Sequence, residues 1–297
     1  MKLLISGANG YLGSALSRDL SGQHIVRGTY GRNRKQYLLP MDVTDREQVV
    51  RTLVQERPDV VVHSVGISGK FKQNADYATQ VNIEGTQNVV FGAQEAGAHL
   101  IHISSTAVFN GLDGPFNEDD EPRSTDKYAQ TKLEGERIVQ SSGLKHVIFR
   151  PSLIVGDAPY GSEDKFPGQI AKAIDTGIPL EVDNEWQFAP SYTRHIAEVT
   201  NWWINNPDST DMLHVVSSEV TTKLSYARNL AQELGADPSI FVEKESSGHS
   251  GHNILDGSRL EVLGAPRISL RKIVYETAAE IRNSQTPEGV YRPSKEY

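Results

Sequence analysis

Apolar residues in the first half of the chain follow two alternating rhythms. Short continuous runs, beginning with Lys2-Leu3-Leu4-Ile5, are of the buried-strand type, and stretches with apolar positions at helical spacing follow them. Residues 11–20 place Leu12, Ala15, Leu16 and Leu20 on one face of a helix. Residues 23–29 predict a second strand and residues 37–43 a short third one, after which Thr44 or Asp45 can cap a helix to about Glu56. The β-branched run 58–64 predicts a fourth strand buried on both faces. A helix over 75–96, a strand over 99–106, a helix capped within Ser124-Thr125-Asp126 and ending near Gln140, and a strand over 146–150 complete the series. This alternation predicts an α/β fold, a doubly wound parallel sheet with right-handed crossovers.

From about Asp157 the alternation weakens. Residues 179–182, 212–216 and the helical 223–234 predict a smaller C-terminal substrate lobe interleaved with late sheet elements. The expected division is a Rossmann-like dinucleotide-binding domain over 1–156, the lobe over 157–283 and a tail over 284–297. The stretch from Asn283 onward has two prolines and little apolar content, and reads as loosely held.

The turn between the first strand and first helix is Ser6-Gly7-Ala8-Asn9-Gly10-Tyr11-Leu12-Gly13, with Gly7, Gly10 and Gly13 three apart. Glycines there permit a tight turn and close approach of backbone to a pyrophosphate, while the N–H groups of Tyr11 and Leu12 open the helix towards an anion. Three glycines near a terminus can also be a bare turn; their place after the first strand favours the dinucleotide site. Asp42 and Val43 then fall where adenine would lie, and Ser64-Val65-Gly66 ends the fourth strand beside the pyrophosphate and ribose. No acid occurs between Gln23 and Pro40 to take a ribose 2′-hydroxyl. Arg32 and Arg34 at the end of the second strand therefore favour NADP(H), with NAD(H) the alternative and a solvated basic loop the plain structural reading.

Composition narrows the field. The 297 residues, 37% hydrophobic, can fill a substantial core. A net charge of −8 without a basic block argues against a nucleic-acid partner. No cysteine is present, so disulfides, thiolate metal sites and a cysteine nucleophile are excluded, and a reducing compartment is tolerated. No run approaches the ~20 apolar residues of a membrane span, which makes a cytoplasmic protein without a membrane partner the expectation. His249 and His252 lie in a Gly/Ser-rich loop without a nearby acid, so no metal site is expected. His63 and His102, in strands, are expected to be packed and hydrogen-bonded. Trp202 and Trp203 are expected in core or an interface, and Arg194 on a nucleotide phosphate or in a surface ion pair.

Tyr128 and Lys132 are four apart on an expected helix, hence neighbours on one face. A tyrosine with an ordinary pKa near ~10 is a poor proton donor or acceptor at neutral pH, and an adjacent ammonium would bring that value down. The pair alone is weak evidence, since Tyr291 and Lys295 repeat the spacing in the tail. Order adds the weight: glycine turn, Asp42, Ser64-Val65-Gly66, Asn82, strand-end Ser105, then Tyr128 and Lys132. With Ser104-Ser105-Thr106-Ala107-Val108-Phe109-Asn110-Gly111, the run Tyr128 to Glu136, Arg150-Pro151-Ser152 and Phe188-Ala189-Pro190-Ser191-Tyr192-Thr193, the chain resembles the extended short-chain dehydrogenase/reductase family over most of its length. Within it the likeness is to the dTDP-4-dehydrorhamnose reductases.

The resemblance implies an NADPH-dependent reductase that passes hydride to C4 of a nucleotide-linked 4-keto-6-deoxy sugar. Tyr128 would donate the proton, Ser105 would hydrogen-bond the same oxygen, Lys132 would hold the nicotinamide ribose and tune Tyr128, and Asn82 would support the helix beside the cofactor. Pro151 would join the cofactor contacts, and a homodimer is compatible with the family. Four positions depart from the reductase pattern: Thr106 and Ala107 follow Ser105, Ala107 being closer to the sugar epimerases, Leu153 stands where the reductases place an aromatic, and His195 replaces an acid. Two alternatives follow, an NAD-dependent nucleotide-sugar epimerase and a non-catalytic regulatory subunit like the beta subunit of methionine adenosyltransferase.

Overall fold

A computed structural model describes residues 1–68, 74–109, 111, 114–158, 164–244 and 254–284. Its elements run β1 (Lys2–Ser6), α1 (Tyr11–Leu20), β2 (Ile25–Tyr30), β3 (Leu39–Pro40), α2 (Arg46–Glu56), β4 (Val60–His63), α3 (Ala75–Thr79), α4 (Gly85–Ala96), β5 (His99–Ile103), α5 (Lys127–Gln140) and β6 (His146–Arg150). The second half adds β7 (Ile154–Val155), α6 (Phe166–Thr176), β8 (Leu180–Val182), β9 (Gln187–Phe188), β10 (Ser191–Tyr192), α7 (Thr193–Asn205) and β11 (Met212–His214). It closes with β12 (Thr221–Thr222), α8 (Lys223–Leu234), β13 (Phe241–Glu243), α9 (Ser258–Val262) and α10 (Leu270–Ser284).

Seven strands form one sheet in the order β11-β6-β5-β4-β1-β2-β3, every neighbour parallel. Strand order reverses beside β1, so the crevice beyond the carboxyl ends of β1 and β4 is the topological switch point at which such sheets take ligands. The strands are apolar without alternation because both faces are covered. Leu3, Ile5, Val60 and Val62 face Leu12 and Leu16 of α1 and Ile196, Val199 and Trp203 of α7. Leu4, Val61 and Leu100 face Val49 and Leu53 of α2, Val89 and Ala93 of α4 and Val139 of α5. Each such side chain contributes about 1.5–3 kcal/mol on leaving water. The face read from the sequence for α1 is the buried one.

A second apolar cluster, with Ile170, Val182, Tyr192, Tyr226, Leu230, Phe241 and Ile273 at its centre, joins α6, α8 and α10 to the small β8/β13 pair. Within the stretch expected to be interleaved, β11 extends the main sheet beside β6 and α7 lies across α1.

Several boundaries differ from the sequence expectation. β2 starts at Ile25 and runs to Tyr30, and β3 shrinks to two residues at the sheet edge, where Pro40 cannot donate to a ladder. Asp45, not Thr44, caps α2, accepting from the Gln48 N–H at 3.0 Å. β5 ends at Ile103 rather than Thr106, because Ser105 turns the chain into a 3₁₀ turn over Thr106–Val108, its Oγ accepting from the Ala107 N–H at 3.1 Å. The helix expected over 75–96 is continuous but carries a π-helical turn at Gln80–Glu84. Asn283 belongs to α10, not to a tail: Ile281 packs on the lobe core and carries the helix past it to Ser284. The remaining tail positions, with Tyr291 and Lys295, and the pair His249 and His252 lie outside the described residues.

His63 is packed and bonded as expected, to Ser6 Oγ at 2.8 Å and Thr86 Oγ1 at 3.2 Å. His102 is packed only: it lies 5.4 Å from the His63 ring, and neither of its nitrogens has a hydrogen-bond partner. Trp203 is fully buried in the core. Arg194 forms ion pairs with Glu276 and Glu280 of α10, which accounts for its charge without a phosphate. Among the described residues no helix is long and apolar enough to cross a membrane.

Candidate active site

The glycine turn is built to be tight. Gly7 has a left-handed φ of 73°, and a Cβ there would stand 2.9 Å from Val65 Cγ2. A Cβ on Gly13 would stand 2.3 Å from the Gly7 carbonyl oxygen and 2.7 Å from Ser64 Oγ, so α1 sits against the ends of β1 and β4 only because Gly13 has no side chain. The Gly10 N–H donates to Gly7 O at 2.9 Å, and Ser64 Oγ donates to Ser6 O at 2.6 Å, closing turn and strand ends into one unit.

Above this floor lies a crevice of about 640 Å³. Of the candidate cofactor residues, Gly7, Gly10, Arg32, Asp42, Val43, Ser64, Val65 and Gly66 line it. Tyr11 and Leu12 do not: the Tyr11 hydroxyl donates to the Gly156 carbonyl at 2.5 Å and Leu12 is in the core, leaving to a ligand only the main-chain N–H groups that open α1. Gly13 serves the packing beneath. Pro151 is also absent from the lining; its carbonyl accepts from the Thr106 N–H at 2.8 Å and so holds the turn after Ser105. Residues not foreseen from the sequence are Asn9, Gly31, Asn33, Met41, Ile67, Asn74, Tyr77 and Val81. Met41 is the neighbour of Asp42 and could have been read off; Tyr77 could not, because only the fold brings its helix across to Arg32. Asp42 Oδ1 is engaged locally by the Thr44 N–H and hydroxyl, at 3.0 and 2.8 Å.

Asn82, in the π-helical turn, joins the crevice to α5. Its amide brackets Ile67, accepting from the main-chain N–H at 2.9 Å and donating to the carbonyl at 3.1 Å, and its Nδ2 also donates to Thr131 Oγ1 at 3.0 Å. Thr131 in turn donates to the Tyr128 carbonyl at 2.7 Å. The register of the π turn thus links one wall of the crevice to the turn of α5 that carries Tyr128.

α5 carries Tyr128 and Lys132 one turn apart, and Ser105 lies beside Tyr128. Asp126 caps α5 by accepting from the Ala129 N–H at 3.1 Å, which fixes where Tyr128 enters the helix. The Ser105 side chain stands beside the Tyr128 phenol and acts on it. Lys132 Nζ is buried, donates to the Ile103 carbonyl at 2.7 Å, and lies 3.9 Å from where a Cβ of Gly66 would stand, so the ammonium abuts the inner end of the crevice. Burial pushes the Tyr128 phenol above the ordinary tyrosine value; the Ser105 hydroxyl pulls it back and Asp126 adds to the rise. This reverses the expected direction, since the Lys132 ammonium is committed to a strand carbonyl and burial dominates. Burial also draws Lys132 down to about 8, with Glu136 opposing. Beneath them Glu136 accepts from Arg150 Nε and Nη2 at 2.9 and 2.7 Å and from the Ser104 hydroxyl, locking α5 to the ends of β5 and β6.

The positions that depart from the reductase pattern are structural in their surroundings. Leu153 packs against the lobe core. His195 is buried, pairs with the Pro266 carbonyl at 2.8 Å and is lowered by burial to about 4, so it is neutral at physiological pH. Among the described residues no cluster of His, Asp and Glu could hold a metal ion.

Comparison with known proteins gives the family. The chain is 26% identical to methionine adenosyltransferase 2 subunit beta of Xenopus tropicalis, over 96% of this chain and 90% of that one. It is 28% identical to dTDP-4-dehydrorhamnose reductase of Escherichia coli strain K12, over 78% of each. A solved structure of dTDP-4-dehydrorhamnose reductase from Bacillus anthracis, in complex with NADP, superposes with a TM-score of 0.83 at 22% identity, covering 94% of this chain and 99% of that one. A family model, that of the RmlD substrate binding domain, matches residues 1–251, and the chain belongs to that family.

Proposed function

We propose that the protein is an NADPH-dependent reductase of a nucleotide-linked 4-keto-6-deoxy sugar, of the dTDP-4-dehydrorhamnose reductase type, with NADH as the alternative cofactor. The observation that carries this reading is the meeting of Ser105, Tyr128 and Lys132 at the inner end of a glycine-floored crevice. The crevice suits a dinucleotide: side chains are absent where Gly7 and Gly10 line it, and Arg32 stands at its wall to meet a 2′-phosphate. The name and bound NADP of the Bacillus anthracis structure and the name of the Escherichia coli relative support the same choice.

NADPH, when bound, supplies the hydride for the C4 carbonyl. Burial keeps the Tyr128 phenol protonated at neutral pH, as a proton donor requires. As the carbonyl oxygen gains charge, Tyr128 delivers its proton there and Ser105 donates a hydrogen bond to the same oxygen. The resulting phenolate is stabilised by the nearby Lys132 ammonium, which is still charged below its value of about 8. Lys132 also orients the nicotinamide ribose from its place beside Gly66.

The test is to mix the protein with NADPH or NADH and a panel of nucleotide 4-keto-6-deoxy sugars and follow absorbance of the reduced nicotinamide. Oxidation with at least one sugar is expected; none with any sugar contradicts the reading. A second reading, a regulatory subunit, rests on the likeness to methionine adenosyltransferase 2 subunit beta over 96% of the chain. It requires co-purification with a methionine adenosyltransferase together with no oxidation across the panel.

A further inference from the structure

Arg32 and Tyr77 come from opposite sides of the crevice and both line it: Arg32 from the loop after β2, Tyr77 from α3. The Arg32 guanidinium carbon lies over the Tyr77 ring, 3.7 Å from its centre. Each side of this contact is anchored. Tyr77 is half-buried against the cluster containing Met41 and Val43, and its main-chain N–H donates to the Asn74 side chain at 3.0 Å. The Arg32 loop is tied to the glycine turn by Asn9, whose Nδ2 donates to Asn33 O at 3.1 Å.

A guanidinium is planar, and its donors point outward in the plane. Stacking it on a ring therefore occupies the face and leaves the edge free for a bidentate contact with a phosphate. It also restricts a long side chain that would otherwise give up rotamer freedom on binding, a loss of about 1.5–2 kcal/mol for a fully ordered arginine. A 3.7 Å separation leaves no room for a base between the two groups, so in this arrangement Tyr77 acts on Arg32 and not as a stacking surface for adenine.

We propose that Tyr77 is a specificity-determining residue for the cofactor: its ring holds the Arg32 guanidinium edge-on to the crevice, ready for the 2′-phosphate that distinguishes NADPH from NADH. This rests on the reading of the crevice as a dinucleotide site with Arg32 at the 2′-phosphate. Tyr77 is then a positioning residue, acting through Arg32 and touching no reacting atom.

The experiment is a fluorescence titration of the intact protein with NADPH and NADH, without substrate, giving the ratio of the two dissociation constants; a thermal melt of each variant verifies folding. Tyr77→Ala is expected to lower the preference for NADPH by about three- to tenfold, the range of a partly exposed cation–π contact, with little change for NADH. Tyr77→Phe, which keeps the ring, is expected to retain the parent ratio. In an Arg32→Ala background, Tyr77→Ala is expected to have no further effect on the ratio. If Arg32→Ala lowers the ratio and Tyr77→Ala does not, the proposal falls and the cofactor reading stands. Equal weakening of NADPH and NADH by Tyr77→Ala also overturns it, since the ring would then pack on adenine. An unchanged ratio in Arg32→Ala overturns both the proposal and the assignment of Arg32 to the 2′-phosphate.

Discussion

Gly13 packs with no room for a Cβ, because what that atom would meet is the Gly7 carbonyl of the turn's own backbone, 2.3 Å away, and not a side chain able to swing aside. Gly13→Ala must therefore push α1 off the strand ends. The expected result is a loss of about 1–3 kcal/mol in urea denaturation together with weaker NADPH binding; full retention of both would contradict the close packing. Lys132 gives a second test at this scale. Burial draws it to about 8, whereas a lysine in the unfolded chain titrates near ~10.4. Between those values the unfolded chain holds the additional proton, so stability rises with pH across that window and the penalty is fully present below it. Measured against Lys132→Met, the parent should gain stability from pH 8 to pH 10, and a constant difference would place Lys132 in a more solvated setting. The departure of Tyr128 from expectation has the same origin: i, i+4 spacing brings two side chains together, but spacing alone does not reveal that both will be desolvated or that the amine will turn to Ile103.

Among the elements, the helical stretch from α3 through the π turn to α4 does the most to couple cofactor wall and catalytic helix. Asn82 makes three hydrogen bonds there, two to Ile67 and one to Thr131. Asn82→Ala leaves the Ile67 main chain without these partners. Stability should fall by about 1–3 kcal/mol, and NADPH should bind more weakly, since the wall next to Gly66 is released. Unchanged affinity in the titration would mean that the loop holds its form without Asn82. This stretch also marks how far the sequence could be read. Period and caps place the helix over 75–96, the start of α5 within Ser124-Thr125-Asp126, and the strands that hold continuous apolar runs, because those signals are local. The π turn was invisible, since one extra residue per turn changes no apolar count that a 3.6-residue period would notice. β3 was overestimated because the apolar run 37–43 looks the same at a sheet edge as in its middle. Ser105 lies two residues past the end of β5, and the 3₁₀ turn it caps depends on one side-chain hydrogen bond to Ala107.

Taken as a whole, the molecule buries histidines in the strands of its sheet and in a helix packed on it, and it does so in the neutral form. Burial lowers His63 and His214 to about 3 and His195 to about 4. An unfolded histidine binds its proton near ~6.5, so from there down to these folded values the unfolded chain holds more protons and stability is lost as pH falls. Between pH 7 and pH 5 each is expected to remove on the order of 2 kcal/mol. His63→Gln should flatten the pH dependence of the denaturation free energy by about one proton over that range, and an unaltered slope would contradict the buried neutral state. The doubly wound sheet and the glycine turn were legible at this scale because strand and helix alternate visibly along the chain. The meeting of Arg32 with Tyr77 and the placement of β11 in the main sheet were not, since both depend on contacts between residues far apart in sequence.

The most direct test of the central claim is single-turnover reduction of a dTDP-4-keto-6-deoxy sugar by the NADPH complexes of the parent and of Tyr128→Phe, with cofactor affinity measured alongside. Loss of the proton donor should slow the step by about 10²–10⁴-fold while leaving NADPH binding within a factor of about three. Reduction by Tyr128→Phe at the parent rate would contradict the account.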